Sequence, residues 1–122
     1  MELFYYRRLD VYKNVKELVL LTYKALESFP ANEQFALISQ MRRAVTSIMF
    51  NIAEGFGRYG QNERIHFLDI ANGSLMETSS QLELAAELKY ISQEELNMFD
   101  ERIVIIVKQL ARLRSSIKMQ QE

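Results

Sequence analysis

Cysteine and tryptophan are missing from the chain, and proline and histidine occur once each. Without cysteine there can be no disulfide, no thiolate metal site and no sulfur nucleophile, a composition that fits a reducing compartment. With His66 the only histidine, few ways remain to activate a serine. Four glycines and one proline are few breaks for 122 residues, and long helices with short joints are the simplest structure so sparing of punctuation. Neither sign of charge is in excess: the net charge is −1 and the pI near 5.9, so no global positive field draws in nucleic acid. No apolar run approaches the ~18 residues of a membrane span. The opening Met-Glu-Leu-Phe-Tyr-Tyr-Arg-Arg lacks the basic-then-apolar order of a signal peptide. The expectation is one soluble, cytoplasmic domain with no membrane partner.

Good helix formers fill the space that these absences leave, and four segments carry helical periodicity. In the first, Tyr12, Val15, Val19, Thr22, Leu26 and Phe29 recur in steps of three and four, and Pro30 stops the run. The second starts near Asn32, read as an N-cap, with the stripe Ile38, Met41, Val45, Ile48 and Ile52. It ends among Gly55, Gly57 and Gly60, where a left-handed glycine is expected. The third starts around Asn62 with Leu68, Ala71, Leu75, Thr78, Leu82 and Ala85 on one face. Gly73 lies inside it at a cost of about 1 kcal/mol against alanine, which a close approach by another helix would explain. The fourth opens on Ser92-Gln-Glu-Glu95, a capping box, and continues through Leu96, Phe99, Ile103, Ile106, Leu110, Leu113 and Ile117. Its acids come early and its bases late, in the order that complements the helix dipole.

Short joints make sequential neighbours antiparallel, and the three-four rhythm favours crossing angles of roughly 20°. The fold class is therefore all-α: an antiparallel up-down-up-down four-helix bundle, with helices predicted over about 8–28, 32–57, 62–89 and 93–119. Two of these helices are apolar beyond their seams. Leu20 and Leu21 on the first, and Val104 and Ile105 on the fourth, point away from the core and are candidate oligomer contacts, since large exposed patches are unusual on monomers; burial by the bundle's own twist is the alternative.

Gly55-Phe-Gly57-Arg-Tyr-Gly60 is a literal G-x-G-x-x-G. The nucleotide-binding version of that string needs a preceding strand and a following helix. Here the preceding residues are helical in pattern, so the glycines read as helix-to-helix punctuation. Glu63-Arg-Ile-His66 is an E-x-x-H, but di-iron bundles use two such motifs; a metal site from Glu54, Glu63 and His66 would have to be assembled across subunits. Ser47, Ser74 and Ser79 lie within helices and read as packing residues. No catalytic constellation is found, and no cofactor or metal is expected.

A polar, small-residue stripe is more informative. Arg43, Ser47, Asn51 and Glu54 follow one another on the second helix, and Ser74, Glu77 and Gln81 on the third. Folded about Gly60, the stripes come level, with Arg43 opposite Glu77 and Glu54 opposite His66. They form either an exposed ion pair worth ~0–1 kcal/mol or a structured polar groove that fixes register or meets a neighbouring subunit. Candidate phosphate contacts are Arg7, Arg8, Arg42, Arg43, Lys108, Arg112, Arg114 and Lys118, and Tyr5, Tyr6 and Tyr59 could stack bases.

"QMRRAVTSIMFNIAEGFGR" (Gln40 to Arg58), followed by "FLDIANGSLMETSSQLELAAEL" (Phe67 to Leu88), resembles the bacterial four-helix-bundle proteins first noticed in intervening sequences of 23S ribosomal RNA genes. "LDVYKNVKELVLLTYKALESFP" also fits, so the resemblance runs from about Leu9 to the C-terminus. That family is similar in fold to the accessory proteins of diversity-generating retroelements, which form homopentamers and bind a reverse transcriptase and nucleic acid through a basic surface. The resemblance implies a small oligomeric bundle, a pentamer, without enzymatic activity. It maps the family's shared polar positions onto Arg42, Arg43, Ser47, Asn51, Glu54, Gly55, Gly73, Ser74, Glu77 and Gln81. The chain departs from the pattern at Met49, where many members have proline, and at Lys89, where many have glycine. Two functions follow as expectations: a non-enzymatic homo-oligomeric interaction or scaffold protein, and alternatively an RNA- or DNA-binding oligomer, accessory to a ribosomal-RNA or retroelement process.

Overall fold

The computed structural model describes residues 3–120. A 3-10 turn, Tyr5–Arg8, leads into four α-helices: α1 Asp10–Leu26, α2 Leu37–Phe56, α3 Gln61–Glu87 and α4 Gln93–Met119. A second 3-10 turn, Ala31–Glu33, lies between α1 and α2. Each helix packs on its sequence neighbours, and α1 also packs on α4, which closes a four-cornered bundle. The directions alternate. Ser47 and Arg43 of α2 meet Ser74 and Glu77 of α3, and Asn14 and Glu17 of α1 meet Gln109 and Arg102 of α4. Among the described residues no helix is long and apolar enough to cross a membrane.

The periodic stripes become the core. Every stripe residue predicted on α2 and α3 is buried. On α4 the same holds except for Leu113, and on α1 except for Val19; both pack partly buried against the core. Leu18, fully buried, was not in the α1 stripe; it lies one turn from Val15 and Thr22 and widens the apolar face beyond a strict three-four ridge.

The helix ends differ from expectation in two places. Asn32 does not cap α2: it sits in the 3-10 turn that follows Pro30, and α2 begins at Leu37 with no side-chain cap on Ala36. Proline fixes the extended entry, and the tight turn carries the chain round before the long helix can start. No glycine takes the left-handed conformation. α2 ends at Gly57 in right-handed geometry, and its amide donates to the carbonyls of Ala53 and Glu54. Met49 lies within α2, which continues as one helix on either side of it.

Left-handed geometry appears instead at Lys89, φ 66°. The Tyr90 amide donates to Ala85 O at 2.8 Å and the Lys89 amide to Ala86 O at 3.0 Å, the paired bonds of a Schellman stop. Lysine thus ends α3 where glycine would end it more cheaply. Three further hydrogen bonds secure this end of the bundle. The Tyr90 hydroxyl donates to Glu33 at 2.8 Å, which raises the phenol pKa. Ser92 and Glu95 form the predicted capping box at the start of α4.

Lys89→Gly should stabilise the protein. A left-handed non-glycine residue costs about 1–2 kcal/mol, and the extra freedom of glycine in the unfolded chain returns about 0.4–1 kcal/mol of that. The expected net gain of about 0.5–1 kcal/mol is readable as a higher midpoint in urea unfolding. An unchanged or lower midpoint would count against the reading of this helix stop.

Candidate functional site

The uncharged part of the polar stripe comes together across the α2–α3 seam. Ser47 and Ser74 share a 2.8 Å hydroxyl–hydroxyl hydrogen bond across the α2–α3 seam. Asn51 donates from Nδ2 to Ser47 Oγ at 2.9 Å and to the Ser47 carbonyl at 2.8 Å. Thr78, fully buried, donates to the Ser74 carbonyl at 2.9 Å. Small side chains make this possible, because hydroxyls meet directly only when two helices approach closely. Gly55 fixes that approach at the joint: a Cβ on it would stand 3.3 Å from the Arg64 carbonyl oxygen and 3.3 Å from the Phe67 β-carbon.

The charged part of the stripe is looser. Arg43 reaches Glu77 only at 3.9 Å, with 72% and 46% of their side chains exposed, so the pair is worth ~0–1 kcal/mol at most. Gln81 Nε2 donates to Glu77 at 3.4 Å, and the Gln81 side-chain oxygen Oε1 is buried with no partner among the described residues.

Glu54 does not meet His66. It pairs with Arg58, one turn further along its own helix, at 3.3 Å. Arg58 also lies over the Phe67 ring, 4.8 Å from its centroid, and its carbonyl accepts from Arg64 Nε at 2.8 Å. An i,i+4 glutamate–arginine pair needs no cross-helix register to form, so it takes the carboxylate first. His66 instead rests edge-on against Phe67. Among the described residues no group of three metal-ligating side chains lies together, so Glu54, Glu63 and His66 are not gathered within one chain. The G-x-G-x-x-G joins two helices: Gly57 ends α2 and Gly60 precedes α3.

Gly73 is open. A Cβ there would have no atom within 4 Å, so no helix of the same chain explains it. Of the four outward apolar residues, Leu20 is 64% exposed and Val104 and Ile105 are each 51% exposed, whereas Leu21 is half-buried against the bundle's own core. The structure adds exposed residues that the pattern did not single out: Phe50 on α2, and Ile70, Met76, Leu84 and Leu88 on and just after α3.

The basic residues divide into committed and free. Arg114 holds Asp69 with two hydrogen bonds, 2.7 and 3.2 Å, which raises its own pKa. Arg42 lies over the Tyr23 ring and Arg7 over Phe4; Arg8 lies near the Tyr5 ring. Lys108, Arg112 and Lys118 stand exposed on α4 without an ion pair among the described residues. The ends of α2 and α4 and the starts of α1 and α3 share one end of the bundle. Arg7, Arg8, Arg58, Arg64, Arg112 and Lys118 gather there, with Tyr59 almost fully exposed. The opposite end carries Glu27, Glu33, Glu87, Glu94 and Glu95.

A family model described as 23S rRNA-intervening sequence protein matches residues 7–112. The chain belongs to that family. A similar solved structure is the 1.70 Å crystal structure of a protein with unknown function from the S23 ribosomal protein family of Bacteroides thetaiotaomicron VPI-5482. It is 29% identical, with a TM-score of 0.77 over 86% of this chain and 95% of that chain. Among curated proteins none matches the chain. The stretch that carries the resemblance, Gln40 to Leu88, therefore encodes the α2–α3 pair and its polar seam.

The seam and the ion pair should separate in double-mutant cycles. Ser47→Ala and Ser74→Ala should couple by about 0.5–1.5 kcal/mol, since either change removes the hydrogen bond that the two hydroxyls share across the seam. Arg43→Ala and Glu77→Ala should add to within ~0.5 kcal/mol. Chemical unfolding of the six variants measures both. Additive serines would remove the seam as the feature that fixes register.

Proposed function

We propose that the protein is a non-enzymatic, cytoplasmic interaction protein that works as an assembly of identical copies. The observation that supports this reading is the placement of exposed large apolar residues. Leu20 on α1 and Ile105 on α4 lie on one side of the bundle, and Ile70, Leu84 and Leu88 on the α3 side. A helix that is apolar on both its faces is normally covered on both, and patches of this kind on soluble proteins mark association surfaces. Nothing in the polar seam resembles a nucleophile with its base: the serines bond to each other and to amide and carbonyl groups. Five copies is the number that the family resemblance read from the sequence implies. Sedimentation equilibrium of the purified protein tests the proposal. A mass several times that of the 14.3 kDa chain is expected, and a monomer at micromolar concentration would end this reading.

A second reading, binding of RNA or DNA, is favoured by the concentration of arginines and exposed aromatics at one end. Phosphates would engage Arg8, Arg112 and Lys118, and an unpaired base could stack on Tyr59. Filter binding to single- and double-stranded RNA across a salt series is the measurement. A slope of log K on log salt near −0.7 per phosphate contact for single strands supports it. Absence of binding at low salt removes it.

A further inference from the structure

We propose that the basic end of the bundle holds a binding site for a small aromatic carboxylate, with Arg64 as the anchor for the anion. Two adjoining cavities of about 490 Å³ each lie there, within the roughly 300–1,000 Å³ that small-molecule sites occupy. Leu3, Tyr6, Phe56 and Arg64 stand in the walls of both. The first cavity continues along Leu9, Leu113 and Ile117, between the start of the chain and the end of α4. The second runs past Ala53, Arg58 and Tyr59 at the α2–α3 joint. The 3-10 turn Tyr5–Arg8 packs on α1 and α2, and so holds Tyr6 at the meeting of the two.

Arg64 lacks a counter-charge. Its side chain is half-buried, and its Nε donates to the Arg58 carbonyl at 2.8 Å. Among the described residues that is the side chain's only hydrogen bond, and no carboxylate pairs with it. The bond to Arg58 fixes the guanidinium and leaves its two terminal amino groups for a partner. A guanidinium drawn partly out of water without an anion is costly, and its paired donors match the two oxygens of a carboxylate. No acidic side chain lines either cavity. The acids of this end are engaged or lie outside the walls: Glu54 pairs with Arg58 at 3.3 Å, Asp69 pairs with Arg114, and Asp10 and Glu63 are exposed away from both cavities. Arg58 adds a second positive charge, and its buried Nε has no partner among the described residues. The remaining wall selects the body of the ligand. Tyr6 is held edge-on against Tyr12, with ring centroids 5.1 Å apart, and Phe56, Leu113 and Ile117 supply apolar surface. Besides Arg64, the polar side chains of the first cavity are two tyrosines, Ser116 and Gln120. They are few groups with which to read a nucleobase, and they suit a plain aromatic ring better.

Ligand-observed NMR titrations of the full chain test the site, with 2-naphthoate as the probe and 2-naphthylmethanol as its uncharged counterpart. Naphthoate should bind with a Kd of about 1 mM or tighter, and the alcohol at least about tenfold more weakly. Arg64→Gln should lower naphthoate to the affinity of the alcohol. Ser116→Trp, at an exposed position in the wall of the first cavity, should fill that cavity and block both compounds. Circular dichroism checks that each variant keeps its helicity. Should Arg64→Gln unfold, Ser116→Trp and the comparison of charged with uncharged probe still decide. The proposal is overturned if naphthoate fails to bind at millimolar concentration, if the alcohol binds equally well, or if either folded variant binds naphthoate as the wild type does. Tighter binding of uridine 5′-monophosphate than of naphthoate would also overturn it, and would give the cavity to a nucleotide.

Discussion

At the α2–α3 joint the two helices already touch at Gly55, where any larger side chain would press on the Arg64 carbonyl and on Phe67. Close contact at the joint leaves room only for small groups along the seam. Ser47, Asn51, Ser74 and Thr78 occupy it and satisfy one another's polar atoms. A half-buried hydroxyl without a partner is costly, so sliding α3 along α2 by one turn would break the Ser47–Ser74 hydrogen bond that crosses the seam. The rest of the bundle follows from this fixed pair. α4 lies on the other side of α3, tied by Arg114 to Asp69, and α1 closes the square through Asn14 and Gln109.

The outer surface obeys a different constraint. Core packing decides which face of each helix turns inward, but says nothing of the face left outside. On α3 that outer face has its own order, with apolar or small residues spaced among glutamates, while the outer face of α1 carries Leu20 among charges of both signs. The cost to a lone chain is exposed Leu20, Ile70 and Leu84 and an exposed helical glycine. None of these is needed for the bundle to fold.

Much of this was legible in the sequence, and the exceptions have physical reasons. The stripes of α2, α3 and α4 were readable because a core position answers to one local rule, the helical period. The serine–asparagine seam was readable because hairpin geometry about a known joint puts residues level. Glu54 stands level with His66 as expected but does not pair with it, because an intrahelical arginine competes with any cross-helix partner. Gly73 was expected to meet another helix, and no helix of the same chain reaches it, because periodicity gives a residue's face and not what lies beyond it. The entry to α2 was missed because a 3-10 turn after Pro30 uses the same residue types as an N-cap. Leu21 was read as outward-pointing, yet bundle twist draws it against the core, and the same periodicity left Leu20 exposed.

The arrangement of charges along the long axis has a consequence for any assembly of parallel copies. The arginine-rich end with Tyr59 and the glutamate-rich end lie at opposite poles of one chain. Copies related by rotation about an axis parallel to the helices would gather all their basic poles on one rim and all their acidic poles on the other. A chain with a net charge of −1 would then present a two-sided disc. Its basic rim would attract polyanions that a single copy meets only weakly, and its acidic rim would repel them, so that bound nucleic acid would lie against one side only.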